Sequence, residues 1–122
     1  MVSHLSLGVS DLARARAFYD AALAPLGIVR VWQTEGALGY GEPGGADELA
    51  LFVTGEPLPE APRFHLAFWA PDRPSVDAFH AAALAAGGSD EGRPGPRPRY
   101  GEGYYAAFVR DPDGHKLEAK AR

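Results

Sequence analysis

His4-Leu5-Ser6-Leu7-Gly8-Val9-Ser10-Asp11 and His65-Leu66-Ala67-Phe68-Trp69-Ala70-Pro71-Asp72 read as one passage written twice, with an offset of 61 from His4 to His65. The register runs on without a gap through Ala17 and Ala78, Phe18 and Phe79, Ala21-Ala22-Leu23-Ala24 over Ala82-Ala83-Leu84-Ala85, and Gly27 over Gly88. That offset is half of the 122 residues. So long a self-match implies two copies of one strand-then-helix unit, related by a pseudo-twofold axis. Each copy opens with a histidine, so the repeat supplies a matched pair of imidazoles.

Within the first copy, residues 2–9 alternate. Ser3, Leu5, Leu7 and Val9 point one way, and Val2, His4, Ser6 and Gly8 the other. Ser10 or Asp11 supplies an N-cap, and Leu12, Ala15, Tyr19, Ala22, Leu23 and Leu26 recur at helical spacing up to Gly27. Strands are expected at about 28–34, 36–41 and 48–54, with a glycine-rich turn at 41–45. In the second copy Phe64, Leu66, Phe68 and Ala70 form the apolar face of a strand, leaving Arg63, His65, Ala67 and Trp69 opposite. Pro74 suits a first helical turn, and Val76, Phe79, His80, Ala83 and Leu84 form the expected buried stripe. Residues 89–103, dense in glycine and proline, read as a mobile, lid-like loop. Tyr104–Val109 and Lys116–Lys120 predict a hairpin around Asp111-Pro112-Asp113-Gly114. The whole is one α+β domain over 1–122, with a first module at about 1–56, a linker at about 57–62 and a second module at about 63–122.

Composition narrows the function classes. Hydrophobic residues at 46% and charged residues at 23% describe an ordinary globular chain that buries one core. A net charge of −4 argues against nucleic acid or an anionic membrane as partner. With no cysteine, disulfides, thiolate metal sites and cysteine nucleophiles are excluded, which leaves nitrogen and oxygen donors. No apolar run approaches the ~20 residues that span a bilayer. The chain opens on an alternating strand rather than a basic, apolar leader, so a cytoplasmic location is expected.

Parity then builds a site. If helices cover the faces bearing Leu5, Leu7, Leu66 and Phe68, His4 and His65 occupy matched places on the uncovered face. In the last strand Leu117 and Ala119 claim the core, which sends Lys116, Glu118 and Lys120 to the side of the histidines. Two imidazoles and a carboxylate on one concave surface form a three-ligand metal site with open coordination positions. His80 lies on the helix stripe and His115 shares the parity of Leu117, so both read as structural.

The ordered set His4-Leu5-Ser6-Leu7, Ser10-Asp11-Leu12, Phe18-Tyr19, His65 and Asp111-Pro112-Asp113-Gly114-His115-Lys116-Leu117-Glu118 resembles the vicinal-oxygen-chelate superfamily. That superfamily includes glyoxalase I, bleomycin-resistance proteins, fosfomycin-resistance thiol transferases and extradiol dioxygenases. The resemblance covers nearly the whole chain. It implies two βαβββ modules forming a metal-binding cup, with His4, His65 and Glu118 as ligands of one divalent ion, whether Zn, Mn, Fe, Ni or Co. It also implies a homodimer in which His4 comes from one subunit and His65 and Glu118 from the other. The fourth ligand usual in glyoxalase I falls near Leu49–Leu51, where no carboxylate stands. Ser6 matches the hydroxyl residue beside the first ligand of the thiol transferases. A substrate-contacting tyrosine of theirs falls at Phe108, a departure from a fosfomycin site.

What the resemblance implies in function is a divalent-metal-dependent enzyme acting on a small oxygenated substrate. Lyase or isomerase chemistry would suit it, or addition of glutathione or another thiol. Ser6 and Glu118 are its proton-handling candidates. Trp69, Tyr104 and Phe108 would line the cup, and Arg97, Arg99 and Tyr100 would grip an anionic substrate. The alternative is a non-catalytic small-molecule binder of bleomycin-resistance type.

Overall fold

The repeat survives in three dimensions down to its caps. In the computed structural model, which describes residues 1–60 and 63–122, the first module runs β1 (Leu5–Val9), α1 (Leu12–Leu23), β2 (Val29–Gln33), β3 (Ala37–Gly41) and β4 (Leu49–Val53). The second runs β5 (His65–Ala70), α2 (Arg73–Ala85), β6 (Ser89–Pro96), β7 (Tyr105–Arg110) and β8 (Lys116–Ala121). Positions 61 and 62, the end of the expected linker, lie outside the described residues. Asp11 caps α1 by accepting from the Arg14 amide at 2.9 Å, and its repeat mate Asp72 caps α2 by accepting from the Ser75 amide at 2.8 Å. Phe18 and Phe79, and Ala22 and Ala83, are fully buried pairs of mates. Gly88 could not be any other residue: a Cβ there would lie 2.7 Å from the Phe18 ring and 2.8 Å from the Arg110 carbonyl.

Each module makes its own four-stranded sheet, in the orders β1-β4-β3-β2 and β5-β8-β7-β6. In both, the first and last strands of the module pair in parallel and the rest antiparallel. The parallel registers set Leu5 beside Leu49 and Leu66 beside Leu117. From that point the offset is 68, from Leu49 to Leu117, because the second module carries a longer connection before β7.

Two expectations are corrected. Residues 89–96 are strand β6, not part of a mobile loop, and a short 3₁₀ turn follows at Pro98–Tyr100. Proline lacks a ladder donor, but β6 is an edge strand, and its register shifts twice, between Asp90 and Gly92 and between Gly92 and Gly95. The other correction is Leu84, which lies on the exposed side of α2 while Val76, Phe79, His80 and Ala83 are buried. Among the described residues, no helix is long and apolar enough to cross a membrane.

The modules share a core. Val9, Phe18, Tyr19, Leu23, Leu38 and Leu51 of the first belong to one cluster with Val76, Phe79, Val109 and Leu117 of the second. Since the helix-side faces of both sheets turn into this cluster, the opposite face of each is left on the outside of the chain. The turn between β7 and β8 fastens the halves. The buried Asp111 carboxylate accepts from the Tyr19 hydroxyl at 2.5 Å and from the Asp113 and His115 amides at 2.9 and 2.8 Å. Burial, then the Asp111 charge, holds the Tyr19 phenol well above its ordinary pKa, so it stays a donor. Asp113 accepts from Arg14 at 3.1 Å, and His115 Nε2 lies 2.8 Å from the Gly8 carbonyl.

These bonds set a ranking. Tyr19→Phe removes one donor and should cost about 1–2 kcal/mol in urea unfolding, while Asp111→Ala strands three donors and should cost more, about 3 kcal/mol or above. Equal or negligible losses would contradict a lock centred on Asp111.

Candidate functional site

Strand parity puts His65, Ala67 and Trp69 of β5 on the open face of the second sheet, directly beside Lys116, Glu118 and Lys120 of β8. Phe108 of β7 is the register partner of Glu118 and stands on the same face. His65 Nε2 lies 3.2 Å from Glu118 Oε1. The imidazole side chain is 48% exposed and the carboxylate only 3%, so Glu118 forms a floor with His65 above it at the solvent edge. The Tyr104 hydroxyl donates to the other carboxylate oxygen, Oε2. Burial first, and the Glu118 bond second, push the Tyr104 phenol up to about 12, which keeps it protonated as a donor.

A buried carboxylate is expensive to keep, and apolar residues would fill the space more cheaply. Among the described residues the side-chain partners of Glu118 are His65 and Tyr104, both on the open face, and none comes from the core. The aromatic set continues outward. Tyr100 meets Tyr104 edge-on with ring centroids 5.5 Å apart, and the Arg99 guanidinium lies 4.9 Å from the Tyr100 ring and donates to its hydroxyl at 3.0 Å. His65, Glu118, Trp69, Arg99, Tyr100, Tyr104 and Phe108 therefore form one patch. Arg97 leans on Phe108 at 5.5 Å but spends its donors on the carbonyls of Arg93, Gly95 and Pro96.

His4 and Ser6 stand elsewhere. Both are exposed at the opening edge of the first sheet, and His4 Nδ1 is 2.8 Å from its neighbour Ser3 Oγ. Among the described residues no three His, Asp or Glu side chains of one chain come together. Of the three expected donors, His65 and Glu118 thus come together within a chain and His4 does not, because α1 and α2 join the modules back to back and leave both open faces unpaired. The donor chemistry of His65 and Glu118 fits a divalent ion, whose nitrogen and oxygen ligands stand about 2.0–2.2 Å from it and hence about 3 Å from each other.

The pseudo-twofold also locates the place equivalent to Glu118 in the first sheet. Glu118 pairs with Ala67, the mate of Ser6, and Ser6 pairs with Ala50. Ala50 leaves that place without a donor. Sequence reasoning missed Trp32. Its indole lies across Gly39 on the open face of the first sheet, so close that a Cβ at Gly39 would sit 2.1 Å from Nε1. The pairing of tryptophan with a side-chain-free neighbour was the available signal, but it depends on a register that a bulge between Arg30 and Trp32 shifts. His80 and His115 behave as structural residues. His80 is buried and 2.8 Å from Asp90, whose carboxyl it holds below the usual range, with the Gly92 amide adding to the effect.

Comparison with known proteins agrees with this architecture. Residues 1–119 match the model of the Glyoxalase/Bleomycin resistance protein/Dioxygenase superfamily. A glyoxalase/bleomycin resistance protein from Albidiferax ferrireducens T118 is 37% identical, with a TM-score of 0.84 over 98% of this chain and 97% of that one. The fosfomycin resistance protein FosX from Listeria monocytogenes (20% identity, TM-score 0.73, 100% and 93% covered) shares the fold. So does a lactoylglutathione lyase from Agrobacterium tumefaciens (22% identity, TM-score 0.67, 99% and 90% covered). No curated protein sequence matches the chain.

The two exposure classes of histidine separate by mutation. His65→Ala removes one partner of the buried Glu118 carboxylate from the solvent side and should cost about 1 kcal/mol, while His80→Ala should cost about 2 kcal/mol or more. Asp90 has a lowered carboxyl pKa in the folded state, so its stabilisation is present above about pH 4 and lost as pH falls through the lowered value. His80→Ala should show a smaller acid-side loss, since the Gly92 amide then still holds the Asp90 carboxyl down. A reversal of the two phenotypes in pH-resolved urea titrations would refute the face assignment.

Proposed function

We propose that this chain, which belongs to the Glyoxalase/Bleomycin resistance protein/Dioxygenase superfamily, is a divalent-metal-dependent enzyme acting on a small oxygenated substrate in a cup shared between two copies. The observation that carries the reading is the His65–Glu118 pair at 3.2 Å, built on an open sheet face with a buried carboxylate that the core does not use. His4 of a second copy completes the donor set. Such a C2 pairing also covers both open faces, on which Phe52 and Trp69 are about half exposed, at 49% and 52%.

When bound, a divalent ion, whether Zn, Mn, Fe, Ni or Co, supplies Lewis acidity to substrate oxygens. The chain's own residues do the rest. Tyr104 ties down Glu118 Oε2, so that Oε1 is held toward His65. Ser6, exposed one turn of the pleat from His4, relays a proton between solvent and substrate. Trp69 and Phe108 wall the floor, and Tyr100 with Arg99 closes its rim. Lyase, isomerase or thiol-addition chemistry, with glutathione or another thiol as second reactant, is compatible with this arrangement. A glyoxalase-I-like four-ligand site is not, because Ala50 stands where its fourth donor would be.

The aromatic patch favours one second reading, a binder of bleomycin-resistance type, since flat walls sequester a ligand without chemistry. Metal content separates the two. Protein purified without a chelating tag should carry or take up about one divalent ion per chain, and Tyr104→Phe should weaken apparent affinity about 10- to 100-fold. No ion and no uptake on titration would reject the enzyme and leave the binder.

A further inference from the structure

Of the 12 lysines and arginines, three are ion-paired and nine are not, among the described residues, so what sets Lys116, Lys120 and Arg122 apart is their place beside Glu118. Arg14, Arg30 and Arg110 are each paired with a carboxylate, Asp113, Asp20 and Glu91. Lys116, Lys120 and Arg122 have no carboxylate within salt-bridge distance among the described residues, although the chain as a whole is acidic. All three share the parity of Glu118 on the last strand. Lys120 is the most fixed of them. Its ammonium stands 4.5 Å from the Trp69 ring and 4.6 Å from the Tyr104 ring, and the Arg122 guanidinium lies 5.0 Å from Trp69.

A lysine held between two aromatic rings has its stem ordered and its charge only weakly satisfied, since a π face offers no lone pair to its N–H donors. Its other contact is a long 3.5 Å approach to the Ala121 carbonyl. Donors therefore remain for a ligand. Lys120 is two residues beyond Glu118, about 6–7 Å along the strand. Trp69, its register partner, is four residues beyond His65. The site thus continues from the His65–Glu118 pair, across an aromatic strip, to an unpaired ammonium and guanidinium.

We propose that Lys120 and Arg122 form the anion-recognition end of this site, so that the substrate is a small, flat organic acid whose carboxylate or phosphonate lies about 6–7 Å from its metal-facing oxygens. This rests on the metal-site reading for the far end of the substrate, but the charge recognition belongs to sheet two alone. Lys120 is then a specificity residue acting by direct contact. Trp69 and Tyr104 are positioning residues that keep its ammonium over the strip. A neutral substrate of the same shape would cover the Lys120 ammonium without answering its charge, which selects against it.

The test uses 3,4-dihydroxybenzoate, its phosphonate counterpart and the uncharged 3,4-dihydroxybenzamide, titrated by calorimetry into the full chain with and without Zn(II). Lys120→Met keeps the apolar stem and removes the charge, and circular dichroism verifies its fold. The acids should bind the parent at least about tenfold tighter than the amide, and Lys120→Met should lose most of that preference while zinc uptake stays unchanged. The ratio of phosphonate to benzoate affinity reads which anionic group the pair of cations prefers. Equal affinity for acid and amide, or a preference that survives Lys120→Met and Arg122→Gln together, overturns the anion site and leaves the metal reading intact. Charge preference that depends on Lys120 in a chain that takes up no zinc does the opposite. Failure of every probe to bind overturns the anion site.

Discussion

The Asp111 carboxylate is the constraint on which the architecture depends. It sits buried in the last turn of the second module, takes the Tyr19 hydroxyl from the first module's helix, and holds the turn itself through two amides. One charged group thereby holds the closing hairpin and ties it to α1 of the first module. Because Tyr19 reaches Asp111 from the helix side, the helices of both modules face inward. The open faces of the sheets must then face outward, and that geometry decides where a site can form.

Glu118 is the second buried carboxylate of note, and the contrast with Asp111 is instructive. Asp111 is consumed by the fold, with a phenol and two amides as donors. Among the described residues Glu118 is reached from the open face alone, by His65 and Tyr104, and has Lys116 and Lys120 on either side along its strand. A charge kept beneath a solvent-facing surface, against the desolvation cost, belongs to function more than to stability. The open face of the first sheet has a different character: Ser6 and Ala50 in line, small Gly39, and Trp32 laid flat across it. In the proposed shared cup the second sheet supplies charge and two donors, and the first supplies shape and His4.

Much of this was legible in the sequence because the repeat is literal. An offset of 61 carries N-cap onto N-cap and buried Phe18 onto buried Phe79, and strand parity alone puts Glu118 with His65. Parity is a local property, set by the period of two, and local properties survive the reading of a single chain. What failed was longer in range or exceptional in chemistry. Prolines 94 and 96 signalled a loop, yet an edge strand with shifted register tolerates them. Trp32 was missed because its face depends on a bulge. Lys120 was placed on the right side, but its lack of a counterion depends on which carboxylates the fold brings near, and no local pattern encodes that. The separation of His4 from the other two donors likewise follows from how the modules join, through Tyr19 and Asp111, rather than from either module's own sequence.

The central claim, that the two half-sites of one chain are completed by a second copy, is tested most directly by mixing two defective chains. His4→Ala and Glu118→Ala proteins, each unable to bind metal, are unfolded together at equal amounts, refolded and assayed for tight divalent-ion binding. Sites shared across a C2 dimer restore one complete site in each heterodimer, or about one quarter of the parental capacity for random pairing. Capacity that stays at the level of the separate variants would contradict a site shared between two copies.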